Sequence, residues 1–360
     1  MTNQHVLHFG LIGCGRISLK HVDALAALGG ADLVACADVD DERAMAVAQK
    51  ADLSAHYNDY HRMFDEHPEI DVVSVLTPSG LHAQHVIDIV SRYRKHIVVE
   101  KPMALRLSDA DEMIRACDEA GVRLFVVKQN RYNLPVARLR QALEAGRFGR
   151  LTMGTVRVRW RRDQVYYDQD AWRGTWALDG GVFSNQASHH IDLLEWMLGD
   201  PVSVMAKTAT YLSDIEVEDT GVAIIKFRSG ALGVVEATTA TRPKDLEGSL
   251  SILGERGSVV IGGFAVNQMQ TWEFEDATDE ERAEVFVNSA ENPPNVYGFG
   301  HKRYLEDVVR AIQEGRRGLV DGLEGRKSLE LINAIYESSE TGREVFLRYE
   351  PKYSRLGKPS

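Results

Sequence analysis

The sequence predicts an α/β protein: a doubly wound parallel sheet of the Rossmann type, followed by an α/β domain built on a large, open, mostly antiparallel sheet. Three observations predict it. A glycine loop, GLIGCGRIS, follows a strand-like run and opens a helix-like one. Short continuous apolar runs then alternate with helical stretches as far as Phe125, as strands buried on both faces of a parallel sheet do. Beyond Gly149 the apolar period drops to two, the mark of half-exposed strands.

The strands of the first part are predicted at Leu7–Ile12, Leu33–Ala37, Val72–Leu76, Ile97–Val99 and Leu124–Val127. Between them, apolar residues recur at helical spacing, as in Val22, Leu25 and Leu28 or in Met113, Ile114 and Cys117, so the unit is a βαβ series. In the second part, Val156, Val158 and Trp160 alternate with Thr155, Arg157 and Arg159. Further strands of this style are expected at Val202–Tyr211, Thr220–Phe227, Ala231–Ala240, Gly248–Leu253 and Ser258–Ile261, with helices at Val136–Glu144, Ala187–Leu198, Lys302–Gln313 and Gly325–Ser338. A chain of 360 residues has room for two such domains. The expected division is a dinucleotide-binding domain over 1–125 and a domain for substrate binding and oligomerisation over 126–360.

A 44% apolar composition can build a core in each domain, and a net charge of −11 argues against a general nucleic-acid or anionic-membrane binder. Any anionic ligand must then be met by local cations. No run approaches the eighteen or so apolar residues of a membrane span, and the N-terminal residues lead into a strand without a basic, cleavable leader, so a cytoplasmic protein is expected. Cys14, Cys36 and Cys117 are odd in number and lack CxxC spacing, which suggests reduced core residues, no disulfide and no metal site.

Gly13, Gly15 and Ser18 form a GxGxxS loop between strand and helix. Gly13 permits the tight turn, Gly15 lets the backbone, with Arg16 and Ile17, approach a pyrophosphate, and Ser18 stands for the third glycine. Asp38, at the end of the next strand, suits an adenosine ribose and favours NAD over NADP, since a carboxylate repels an extra phosphate. Arg43 is the one nearby side chain that would argue for NADP.

Two further runs, VVSVLTPSGLHAQH with Thr77, Pro78 and His82, and HIVVEKPMAL with Glu100, Lys101 and Pro102, carry a resemblance when taken with the glycine loop. The chain resembles the glucose–fructose oxidoreductase, inositol dehydrogenase and rhizopine catabolism (Gfo/Idh/MocA) family. The likeness continues through QNRYN at Gln129, AGRFGRL before the second domain, Trp172 and Arg173, GGVFSNQASHHIDLLEWMLG from Gly180 to Gly199, and DGLEGRKSLELINAIYESS near the end. It implies NAD held by these motif positions, a cis peptide before Pro102, and Lys101 beside the nicotinamide and the reacting hydroxyl. Where the family usually carries aspartate, histidine and aspartate, this chain has Asn185, His189 and Asp192. An amide cannot accept a proton as a carboxylate does, so acid–base work falls to His189 or Lys101, with Asp192 placed to orient the His189 ring. The alternative is a satisfied histidine near a helix cap, and His190 points to another face.

The NQASHHID and KQNRYN runs look most like the subgroup that oxidises the 3-hydroxyl of UDP-N-acetylglucosaminuronate, with 2-oxoglutarate a possible means of recycling the cofactor. A substrate carboxylate about 4 Å from a second carboxylate at 185 would cost roughly 4 kcal/mol at an effective dielectric of about 20, and asparagine removes that cost. Arg131, Arg157 and Arg159, with Gln129, Tyr167 and Tyr297, complete the expected substrate contacts. The arginine strand is equally readable as a solvated face or a subunit contact. A homo-oligomer is expected from the resemblance. Rival readings are a dehydrogenase of a free sugar or inositol, a redox-neutral NAD-dependent glycosidase, and a non-catalytic dinucleotide sensor.

Overall fold

The computed structural model describes residues 6–288 and 300–347. Five strands, β1 (Leu7–Ile12), β2 (Ala31–Ala37), β3 (Val72–Val75), β4 (His96–Val99) and β5 (Leu124–Val126), form one parallel sheet in the order β2-β1-β3-β4-β5. Their side chains are almost wholly enclosed on both faces, which is why their sequences show apolar runs instead of alternation. The chain order reverses beside β1, so the crevice outside the C-terminal ends of β1 and β3 is where a doubly wound sheet takes its ligand.

Eight further strands build a second sheet: β6 (Leu151–Arg159), β7 (Pro201–Ala209), β8 (Thr220–Phe227), β9 (Leu232–Thr238), β10 (Glu247–Gly254), β11 (Gly257–Gly262), β12 (Gln268–Phe274) and β13 (Val345–Phe346). Their order is β12-β11-β10-β6-β9-β8-β7-β13, antiparallel throughout except where β6 pairs with β9. The helix Ser188–Leu198 and its neighbours cover one face. On the other face the alternate residues Met205, Val222, Ile224 and Leu232 are exposed.

Two strands escape the sequence pattern. In β12 the buried residues are Met269, Trp272 and Phe274, an alternation broken by the register shift against β11 between Val260 and Ile261. β13 has two residues, too few to show any period. The expected helix at Ala187 is preceded by a π-helical turn over Val182–Gln186, a geometry that recurs at functional sites.

The two closing helices return to the first sheet. Tyr304, Leu305 and Val308 of the helix Gly300–Gln313 join Phe9, Leu25 and Phe125 in one core. The helix Gly322–Thr341 packs on β7 with one side and on β5 and the helix Leu107–Ala120 with another. A direct close approach also fixes the two parts beside the crevice: Gly80 donates to Leu178 O at 3.0 Å, and a Cβ on Gly80 would lie 2.3 Å from Ala177 O.

Candidate active site

The glycine loop sets one wall. Gly13 has φ +94°, and a Cβ there would sit 2.7 Å from the Leu76 carbonyl, so only glycine fits. A Cβ on Gly15 would meet nothing within 4 Å, because the space beside it is open cleft. The helix Ser18–Ala26 that follows has no side-chain cap, leaving its N-terminal end to an anionic ligand. Asp38 accepts from Cys14 N at 2.6 Å and from Asp40 N at 2.9 Å, and each oxygen keeps acceptor capacity for a ribose hydroxyl. Arg43 is engaged by Asp40 at 3.1 Å and Asp170 at 2.8 Å, so the cation that a 2′-phosphate would need is already paired. These features fit NAD. Every residue predicted to hold the cofactor, together with Asn185 and His189, lines one cavity of about 830 Å³.

The opposite wall begins at the end of β4. Burial alone would raise the Glu100 carboxyl, but a hydrogen bond from His21 at 3.2 Å, with His301 and Lys101 nearby, brings it down to about 2. Glu100 in turn accepts from Lys101 N at 3.0 Å. His82 bridges Pro102 O at 2.9 Å and Thr77 O at 2.8 Å, tying this turn to the one after β3. The Lys101–Pro102 peptide is cis. So supported, the Lys101 ammonium donates to Asn185 O at 2.9 Å and approaches Asn185 Oδ1 at 3.4 Å. The π turn presents both acceptors.

Lys101 keeps some surface open to the cavity but is deeply enclosed. Burial lowers its pKa from the ordinary value, Glu100 and Asp179 oppose the shift, and Lys128 and Arg173 add to it. His189 is also pushed well below its usual range by burial and then by Lys101 and Lys128. It therefore presents a neutral ring at neutral pH. Its Nδ1 is buried with no hydrogen-bond partner among the described residues.

That last fact corrects the role expected of Asp192. Its carboxylate receives a two-pronged bond from Arg131, at 2.8 and 2.9 Å, and lies 3.8 Å from Lys128. It does not hold the His189 ring. Arg131, stacked on Trp196 and also paired with Glu324 at 3.3 Å, is outside the cavity and cannot serve as the expected substrate cation. Arg157 and Arg159 are likewise displaced: both lie on the exposed sheet face among Glu236 and Glu247, with Arg159 2.6 Å from Glu236. Strand alternation did put them on one face, but that face turns away from the cleft. Tyr167 is buried with its hydroxyl on Thr239 at 3.1 Å, whereas Tyr166 faces the cavity and sits under the Arg173 guanidinium. Tyr297 lies outside the described residues. His190 is fully buried against Trp160.

Sequence reasoning missed Asp170 and Asp179. Asp170 binds Arg43 and Arg173, joining the first domain to the segment over the cavity. Asp179 receives the Asn185 side-chain amide. The available signal was a carboxylate beside each recognised motif, WR and GG, at positions where no motif asks for one. Among the described residues the one group whose ligand-capable atoms gather within 4.8 Å is His21, Glu100 and His301. Its carboxylate is committed to Lys101 N and His21, which makes the cluster a brace for the lysine turn.

Comparison with known proteins agrees with this geometry. Residues 7–128 match the NAD-binding Rossmann fold of the Gfo/Idh/MocA oxidoreductase family, and residues 140–347 match its C-terminal alpha/beta domain. The chain is 43% identical to the WlbA dehydrogenase of Bordetella pertussis, solved with NADH and UDP-GlcNAcA, over 97% of this chain and 100% of that one, with a TM-score of 0.90. The corresponding enzyme of Chromobacterium violaceum, solved with the same two ligands, is 43% identical over 98% of each chain, with a TM-score of 0.89. The myo-inositol 2-dehydrogenase of Thermotoga maritima is 28% identical over 95% of this chain and 98% of its own. With the glycine loop, the lysine turn and the histidine on one cleft, the chain belongs to the Gfo/Idh/MocA oxidoreductase family and is an NAD-dependent sugar dehydrogenase.

Proposed function

We propose that the enzyme oxidises the 3-hydroxyl of UDP-N-acetylglucosaminuronate to a ketone, as a step in making a nucleotide sugar for a surface polysaccharide. The carrying observation is that Lys101 and His189, 88 positions apart in sequence, line one cavity with the dinucleotide loop. The likeness to two dehydrogenases solved with UDP-GlcNAcA supports the choice of sugar. NAD, held by the Gly13–Ile17 loop, Asp38 and the Thr77 turn, supplies the hydride acceptor. His189, neutral at working pH, takes the hydroxyl proton. Lys101 is anchored on Asn185 and has a further N–H to stabilise negative charge growing on the same oxygen. Arg173, between Trp172 and Tyr166, closes the wall next to the sugar.

The test is NAD reduction followed by absorbance with UDP-N-acetylglucosaminuronate, UDP-N-acetylglucosamine, inositol and free hexoses, each with and without 2-oxoglutarate. Turnover is expected with the uronate, and with catalytic NAD when the oxo acid is present. Preference for a free polyol would refute the substrate, and a glycoside split without net NADH would refute the reaction.

The enzyme self-associates, on this proposal, through the open sheet. Met205, Val222, Ile224 and Leu232 are each about half exposed on it, and Met205 and Ile224 are cross-strand neighbours. Replacing Ile224 by Glu should lower the mass measured by light scattering to that of a smaller species. An unchanged mass would place the interface elsewhere.

A further inference from the structure

The asparagine at 185 was attributable, from sequence, to a carboxylate on the substrate. The structure supplies a nearer cause. The Asn185 Nδ2 donates to Asp179 Oδ1, and Asp179 Oδ2 accepts from Gly174 N at 2.8 Å. The Asn185 Oδ1 faces the Lys101 ammonium. The amide orientation is fixed from both sides, because an anion requires its NH2 and a cation requires its oxygen. Asp179 is 1% exposed and sits at the turn before the two glycines that enter the π turn.

We infer that Asp179 is a second carboxylate partner of Lys101 beside Glu100, standing at 179 in place of a carboxylate at 185 and acting through the Asn185 amide, which makes it a positioning residue for the lysine. The inference rests on the proposed role of Lys101 and extends it. A carboxylate at both positions would place like charges in contact, and one would be forced to hold a proton. One carboxylate and one amide, in either order, give the same chain of bonds from Lys101 to Gly174 N. Asparagine at 185 therefore needs no substrate carboxylate to explain it.

The surroundings show that Asp179 is no ordinary buried acid. Burial raises its carboxyl to about 6, although Gly174 N, the Asn185 amide, Arg173 and Lys101 all favour the anion. Glu218, raised to about 7 by burial, and Tyr167 are the other titratable groups that feel it. At neutral pH the carboxylate is mostly ionised and lends its charge to Lys101, opposing the desolvation of the ammonium.

Replacing Asp179 by Asn leaves one acceptor oxygen at 179, which the Gly174 N–H claims, and so turns an NH2 toward Asn185. The Asn185 amide must then turn over and aim its NH2 at Lys101. Expected results are a loss of kcat of roughly tenfold to a hundredfold, with KM and NAD affinity little changed. The Lys101 titration, followed by NMR of lysine Cε in the NAD complex without any sugar, should move down by about one pH unit or more. In the exchange variant D179N/N185D the chain of bonds is restored, with the carboxylate now at position 185 receiving both the Lys101 ammonium and the new amide at position 179. Both kcat and the lysine titration should then return most of the way. A purely structural Asp179 would lower melting temperature and NAD affinity together and gain nothing from the exchange. The inference fails if D179N leaves the lysine titration unmoved, or if the exchange variant, folded by its melting curve, titrates and turns over no better than D179N. Because the titration needs no substrate, it stands even if another sugar replaces the uronate. Should D179N not fold, D179S removes the charge in a smaller side chain and is judged by the same titration.

Discussion

Replacing Lys101 by Ala is expected to lower kcat by about a hundredfold to ten-thousandfold while NAD binding changes little. Its side chain is the one that reaches Asn185 across the cavity, and the dinucleotide loop on the opposite wall makes its own contacts. His189→Asn should cost a similar factor for a different reason, the loss of a proton acceptor. The pH profile of kcat/KM separates the two. His189 is pushed below its ordinary 6.5, so protonation of the ring cuts activity only in acid well below neutrality. Lys101 is shifted down from 10.5, so its ammonium, present below its pKa, is lost as pH rises before the ordinary lysine range. Both limbs of the bell are displaced toward acid. Lys101→Ala should abolish the alkaline limb, and His189→Asn should remove the ring's share of the acid limb, leaving the share that Asp179, raised to about 6, contributes. Full turnover in either variant, or an acid limb unchanged by His189→Asn, would remove that residue from the reaction.

The cofactor wall was legible because its requirements are local. Gly13 needs a positive φ, Gly15 needs the absence of a side chain, and Asp38 needs the end of a strand. All three are set within a single βαβ unit, whose period the sequence displays. The lysine and histidine were legible by resemblance, since neither spacing nor composition brings position 101 to position 189. What failed were the substrate and orienting roles that depended on where a face points in three dimensions, although the separate face read for His190 holds. Arg157 and Arg159 share a face by alternation, but nothing in the alternation says that this face is the open one. Asp192 stands three residues beyond His189, close enough on a helix to touch, yet a guanidinium 61 positions away in sequence takes the carboxylate. Asp179 went unseen because the chain of bonds through Asn185 exists only once the π turn has formed.

Asp192→Ala should destabilise the fold by about 3–5 kcal/mol, measured by urea denaturation, because it leaves two cations without their buried counter-charge. Lys128 and Arg131 are 2% and 3% exposed, and the Lys128 ammonium, 3.8 Å from Asp192, donates its hydrogen bond to Ser328 Oγ at 2.9 Å, a neutral acceptor. Arg131 retains Glu324 at 3.3 Å, a single contact at the edge of the cluster. The Asp192 carboxyl, which burial alone would raise, is held below its ordinary value by Arg131 and Lys128. A depressed folded value means that its contribution is complete above the unfolded pKa of about 3.9 and is lost as pH falls further, through the folded value. Wild type should therefore lose this part of its stability only below about pH 4, and Asp192→Ala should lack it at every pH. An orienting role toward His189 predicts the reverse pattern: near-normal stability with reduced kcat. The alanine variant tells the two apart because the first effect is read with no substrate present, and a loss of stability well under about 1 kcal/mol would mean that water or Glu324 already satisfies the two cations.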